Sequence, residues 1–157
     1  MARYNAWQNN SLRQMIGKMT TDELTKDRGA FFGSIFATLN HLLWADAIWI
    51  SRFDGGVGPD PAIKDSVDVT PTPTAWAADR FKMDARVTLW AQSVTATDLA
   101  GDISWYSGAA GRDMSKPKGL CVMQLFNHQT HHRGQAHVML TALGKCPNDT
   151  DLPFMPE

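Results

Sequence analysis

The chain has 157 residues, which is enough for one domain with a buried hydrophobic core. Hydrophobic residues make up 43% and charged residues 20% of the chain, as in an ordinary globular protein, and no apolar run reaches the roughly 20 residues that span a membrane. The net charge of -1, with lysines and arginines scattered along the chain, argues against a nucleic-acid-binding protein, which usually carries a basic stripe.

The cellular location is predicted from the N-terminus and from the cysteines. The first residues lack the apolar core of a signal peptide. Cys121 and Cys146 are too few for a disulfide framework, so we read them as free thiols. These features predict a cytoplasmic protein without a membrane partner.

The first two predicted helices cover about residues 2–19 and 31–53. Apolar residues in the first follow a period close to 3.6 residues, and Thr20 or Thr21 could cap a short turn after it. The second is apolar on most sides, as is usual for a buried helix. The pair Gly55-Gly56 ends it.

Two more helices follow a loop rich in Pro and Asp. The third is predicted to begin after Thr74, a plausible N-cap, and to end near residue 94. Residues 99–118 suggest a short irregular segment or a hairpin. The fourth helix covers about residues 117–143 and ends at Gly144, a favourable residue just past a helix C-terminus.

Four long helices in one short chain predict an all-α fold, a four-helix up-down bundle with a short irregular or hairpin segment before the last helix. We expect this single domain to cover residues 1–157. The long connection between the second and third helices leaves a crossover topology open.

All five histidines lie on the second and fourth predicted helices. His41 is alone on the second. On the fourth, at about 100° per residue, His132 lies roughly 40° from His128 on the same face, one turn later. His131 lies roughly 60° to the other side, and His137 points nearly opposite His128. His131 could therefore be a hydrogen-bond donor to a metal ligand or an ordinary surface residue.

The apolar residues of the fourth helix show which of these histidines face the core. Their centre lies about 60° from His128, on the side of His132, so both rings face inward. These apolar residues are Cys121, Val122, Leu125, Ala136, Met139, Leu140 and Leu143. His41 lies on a stripe of mostly small residues that leaves room beside its ring. The pattern predicts one divalent metal ion bound by His41, His128 and His132.

The ligand set indicates the kind of site. Three neutral imidazoles suit Zn, Ni or Fe. No fourth ligand is evident, because Asp46 lies about 140° around the helix from His41 and Cys121 lies about 10 Å along the axis from His128. An open position is typical of a catalytic site, where water or a substrate thiol can bind. Gln129 replaces the general base of the zinc proteases and excludes that class.

Residues around the ligands have weaker predicted roles. Metal-bound imidazoles usually donate their other N–H to a partner, for which Asn40, Gln124 and Asp46 are the candidates. Gln135, about 20° from His128, faces the edge of the site. Arg133, about 140° away, is expected to pair with a carboxylate or a neighbouring helix.

Longer motifs resemble the DinB branch of the DinB/YfiT-type metal-binding bundles. They include Tyr4-Asn5-Ala6-Trp7-Gln8-Asn9 and Phe126-Asn127-His128-Gln129-Thr130-His131-His132-Arg133-Gly134-Gln135. The resemblance implies a four-helix bundle with a three-histidine site, mapping onto His41, His128 and His132. It also implies nickel or zinc as the metal and, for many members, a homodimer.

Sister branches of the family include bacillithiol S-transferases and mycothiol-dependent isomerases. The resemblance therefore suggests a metal- and thiol-dependent transferase acting on small electrophiles, with a low-molecular-weight thiol as cosubstrate. The alternative is a non-catalytic metal-binding module of a stress response. Neither reading involves a nucleic acid, and no catalytic residue is assigned.

Overall fold

Four long helices form most of the fold in the computed structural model, which describes residues 1–157. They are α1 (Ala2–Ile16), α3 (Ile35–Asp54), α4 (Pro73–Ser93) and α5 (Lys118–Ala142), with the short α2 (Thr21–Thr25) after α1. A two-stranded antiparallel sheet, β1 (Asp102–Ser107) and β2 (Arg112–Pro117), precedes α5. Short 3₁₀ helices cover Ile63–Asp68, Thr97–Leu99 and Leu152–Phe154.

The helix pairs define the topology. α3 packs along α5 and α4, α1 packs along α4, and the contact between α1 and α5 is smaller. In a simple up-down bundle α1 would pack along α3 and α4 along α5. Neither of these pairs is extensive here, so the pairs fit the crossover alternative better than the simple order. The fold is mostly helical, with a two-stranded hairpin in the segment before the last helix, where the sequence predicted an irregular segment or a hairpin.

Two threonines determine where helices begin. The Thr20 hydroxyl accepts a hydrogen bond from the Glu23 N–H, and the Glu23 carboxylate accepts one from the Thr20 N–H, which forms a capping box. The N-cap of α4 is Thr72, whose hydroxyl accepts from the Ala75 N–H at 3.1 Å. The prediction of Thr74 was wrong by two residues, because Pro73 fits the first helical turn.

A layer of buried polar residues separates two apolar clusters in the core. One cluster includes Leu12, Leu39, Trp76 and Leu140, and the other includes Ile50, Phe53, Val87 and Leu125. On each long helix at least one buried polar residue lies between members of the two clusters, namely Asn9, Asp46, Arg80 and Gln129. None of the helices combines the length and the apolar character that a bilayer-spanning segment requires.

Arg80 is the centre of this polar layer. Its Nη2 lies 2.8 Å from Oδ2 of Asp46 and 2.9 Å from Oδ1 of Asp84, and Asn9 donates to Asp84 at 2.8 Å. Both Arg80 and Asp46 are 1% exposed. The layer links α1, α3 and α4 through charged groups removed from water, and the ion pairs of Arg80 must offset the cost of that burial.

Candidate metal centre

The packing of α3 along α5 brings His41 together with His128 and His132. The Nε2 atoms of His41 and His128 are 3.2 Å apart, and one ring nitrogen from each of the three residues lies within 4.8 Å of the others. Bonds of about 2.0–2.1 Å to a tetrahedral ion would place two ligand nitrogens about 3.3 Å apart. The three imidazoles could therefore hold one metal ion.

Hydrogen bonds orient two of these rings. His132 donates its Nδ1–H to Oε1 of Gln135 at 2.7 Å, and Nδ1 of His41 lies 2.9 Å from Oγ of Ser66. Because an amide oxygen only accepts, the Nδ1 of His132 carries the proton and its Nε2 lone pair is free. This is how metal-bound imidazoles are commonly fixed.

The three partners predicted for the ligands are wrong. Oδ1 of Asn40 accepts from the backbone and hydroxyl of Thr70, at 3.1 and 2.6 Å. Asp46 pairs with Arg80, and Gln124 is exposed. Each predicted group either has a stronger competing partner or faces solvent.

The partners found instead are Gln135 and Ser66. Gln135 was placed correctly at the edge of the site by its angle from His128. Ser66 lies in the 3₁₀ helix Ile63–Asp68, inside the loop rich in Pro and Asp, where no periodic pattern could have identified it. It is nevertheless 2% exposed, because this helix packs against α3.

The other histidines of α5 stay outside the group of three. His131 is exposed, and its ring centroid lies 4.7 Å from that of His132. His137 is half-buried elsewhere on the helix. The choice of His132 over His131 from the helical angles agrees with this arrangement.

Arg133 pairs with a neighbouring helix, which is one of the two outcomes that the sequence predicted for it. Instead of pairing with a carboxylate it donates to the side-chain oxygens of Asn5 and Gln129, and its guanidinium carbon lies 5.6 Å from the ring centroid of Tyr4. Burial lowers the pKa of Arg133 to about 10. Arg133 thus anchors α5 to α1 directly beside His132.

The three histidines are neutral at pH 7. Burial, and then His132, lowers the pKa of His41 from 6.5 to about 4. Burial, and then the neighbouring histidines, lowers the pKa of His128 to about 3. Burial also lowers the pKa of His132, against the opposing hydrogen bond to Gln135. Neutral imidazole is the form that binds a metal.

The comparisons with known proteins agree with the sequence motifs. The model of the DinB family matches residues 1–157. The chain belongs to the DinB family. The crystal structure of a DinB-like protein from Bacillus cereus ATCC 10987 has a TM-score of 0.64 and 22% identity, covering 91% of this chain and 90% of that one. At that identity the likeness shows the DinB-like fold alone, and no protein of curated function matches the chain.

In this DinB-family protein the three histidines face an open cavity of about 390 Å³. Its lining residues are Phe31, Phe32, His41, Ile63, Ser66, His128, His131 and His132. Asp, Glu and Cys are absent from the lining, so the protein offers no fourth ligand of those types. Phe32 lies against His41, with ring centroids 4.1 Å apart. A bound ion would have a free position toward an apolar-walled space that a small molecule can enter.

Proposed function

We propose that this DinB-family protein binds one divalent transition metal through His41, His128 and His132 and uses the open position to activate a thiol for transfer to a small electrophile. Four long helices would act as the bundle that holds the ligands. The observation that carries the proposal is the convergence of three neutral imidazoles on a cavity without a fourth protein ligand. Such open sites are typical of catalytic rather than structural metals.

The donor set favours zinc or nickel. Three imidazole nitrogens suit these borderline ions, whereas magnesium and calcium require oxygen ligands. The cavity lining includes no carboxylate that could supply such oxygens. We therefore expect purified protein to select zinc or nickel over the alkaline-earth ions.

The chemistry follows from the residues around the open position. When bound, the ion would act as a Lewis acid that favours the thiolate form of a coordinated thiol. Ser66 and Gln135 keep two of the rings oriented, while Phe31, Phe32 and Ile63 form the apolar part of the cavity wall. His131 is the one further titratable residue of the lining. We propose that it accepts the proton that the thiol releases. The thiol sulfur then bonds to the electrophilic carbon, and the leaving group departs with its electron pair.

Elemental analysis after loading with zinc or nickel tests the metal site. We expect about one ion per chain in the wild-type protein and in His131→Gln, and loss of the ion in His128→Gln. His131→Gln is the matched control, because it changes an exposed histidine on the same helix. Full occupancy in His128→Gln would refute the ligand set.

Optical spectra of the nickel form then test the thiol. Bacillithiol, mycothiol and glutathione are added in turn, and binding of a sulfur to the ion should produce a thiolate-to-nickel charge-transfer band. We expect at least one thiol to produce the band in the wild-type protein and none to produce it in His128→Gln. If no thiol changes the spectrum of fully loaded protein, the transferase proposal is wrong while the metal site stands.

One observation favours a non-catalytic metal-binding module as the second candidate. The cavity lining includes no lysine or arginine that could hold the carboxylates of such thiols. This alternative predicts that zinc raises the melting temperature and that none of the thiols shifts it further.

A cytoplasmic location and a homodimer remain part of our proposal, and sedimentation at several concentrations would measure the oligomeric state.

A further inference from the structure

A second cavity lies between α3, the hairpin and α5, and it shares no lining residue with the histidine cavity. Its volume is about 440 Å³, within the range of small-molecule sites. The lining residues are Trp49, Trp105, Met114, Lys116, Leu120, Cys121, Met123, Gln124 and Asn127. The shape and size of this hairpin cavity fit a small ligand.

The walls of the hairpin cavity are aromatic and apolar. Trp49 of α3 and Trp105 of β1 meet edge to face, with ring centroids 5.4 Å apart. Leu120 and Met123 are 56% and 69% exposed at its edge on α5. Exposed apolar side chains next to a concave aromatic surface are typical of a binding site. An aromatic body would cover these groups and pack against the two indoles.

Two cations lie at the hairpin cavity. Lys116 is part of its lining, and the guanidinium carbon of Arg52 lies 4.5 Å from the Trp49 ring centroid and 5.1 Å from that of Trp105. Neither cation has an ion-pair partner, since the ion pairs of the chain involve other lysines and arginines. No Asp or Glu lines the cavity. The site therefore has two unpaired cations beside an apolar surface, with Asp102 as the acidic residue near its Cys121 wall.

We propose that the hairpin cavity binds a small aromatic molecule with a single anionic group, a carboxylate or sulfonate. The aromatic body lies against Trp49 and Trp105, and the anionic group lies toward Lys116, with Arg52 adding positive potential behind the indoles. This proposal does not depend on the metal centre. It assigns a ligand class to a second site of the protein.

The fluorescent dye 1-anilinonaphthalene-8-sulfonate, an aromatic sulfonate, is the probe. We expect one dye to bind per folded chain. Leu120→Glu should weaken binding by about tenfold or more, because it places a like charge at the edge of the cavity, beside the anion. Val138→Glu is the matched control, since Val138 is an exposed apolar residue of the same helix outside the cavity. Circular dichroism verifies that both variants are folded.

The uncharged analogue N-phenyl-1-naphthylamine tests the anionic part of the proposal. Lys116→Glu should weaken binding of the sulfonate and leave binding of the uncharged dye unchanged. Equal effects of Leu120→Glu and Val138→Glu, or several dyes bound per chain, would show general surface adsorption and overturn the site. Equal binding of the two dyes would overturn the anion preference. A change of sedimentation mass in Leu120→Glu would instead identify the cavity as a contact between copies of the chain.

Discussion

The Nδ1–H of His132 donates to Oε1 of Gln135, three residues farther along α5, at 2.7 Å. This bond fixes both the tautomer and the orientation of the ring and leaves the Nε2 lone pair available to an ion. The Ser66 hydroxyl orients the His41 ring from a different part of the chain. The metal centre thus depends on residues that do not touch the ion.

Gln135→Leu should weaken zinc binding by roughly 10- to 100-fold, because loss of a hydrogen-bond partner commonly costs that much in metal affinity. Competition with a chelator of known affinity measures the change. Gln124→Leu is the control, since Gln124 is an exposed glutamine on the same helix and accepts no histidine proton. Equal affinities of the two variants would contradict the role given to Gln135.

The metal-free protein should lose stability as the pH falls from about 7. The pKa values of His41 and His128 are about 4 and about 3 in the folded protein, below the ordinary value of 6.5. The unfolded chain therefore takes up protons that the folded protein does not, and the free energy of unfolding decreases until the pH reaches the folded values. Urea unfolding between about pH 7 and about pH 4.5 would show this slope.

His128→Gln should reduce that pH slope, because it removes one of the buried histidines whose pKa is lowered. His131→Gln changes an exposed histidine and should keep the slope of the wild-type protein. If the slopes of His128→Gln and the wild-type protein coincide, burial of His128 does not control the acid sensitivity.

Thr72→Ala should destabilise the protein by about 1 kcal/mol, because Thr72 supplies the N-cap of α4. Thr74→Ala should change the stability by less than about 0.5 kcal/mol, as expected for an exposed helical position. Thermal or urea unfolding of the two variants would compare them directly. A larger effect at Thr74 would restore the helix start that the sequence alone predicted.

Asp46→Asn should destabilise the protein by roughly 3 kcal/mol, because it leaves the buried Arg80 with Asp84 as its remaining carboxylate. Asp79→Asn removes the exposed pair with Lys82 and should cost less than about 1 kcal/mol. Asp46→Asn should still bind about one zinc per chain, since Asp46 is no partner of His41. Loss of zinc from folded Asp46→Asn would contradict that assignment.

The sequence was informative wherever a helical period applied. The four long helices and the inward faces of His128 and His132 follow from residue spacing alone, because the α-helix places residues i and i+4 on one face. The same spacing placed Gln135 at the edge of the site. Residue spacing did not predict the tertiary contacts, since these depend on how the helices pair.

Ser66 shows this limit most clearly. It reaches His41 from 25 residues away, through a loop in which neither period nor charge pattern predicts a fold. The prediction that Asn40 or Asp46 would accept a proton from a metal-binding histidine was wrong for a related reason. Nearby polar groups compete for both side chains. Thr70 binds Asn40, and Arg80, in the middle of α4, binds Asp46. The sequence shows that α4 contains an arginine, but the residues around it do not predict which carboxylate it pairs with.

No linker residue separates the hairpin from α5, because Pro117 ends β2 and Lys118 begins the helix. One residue inserted there would turn the hairpin by about 100° relative to the helix and separate Trp105 from Trp49. The exposed turn at residues 108–111 has no such coupling and could accept extra residues. Length variation among natural relatives should therefore concentrate at the tip of the hairpin and avoid its base.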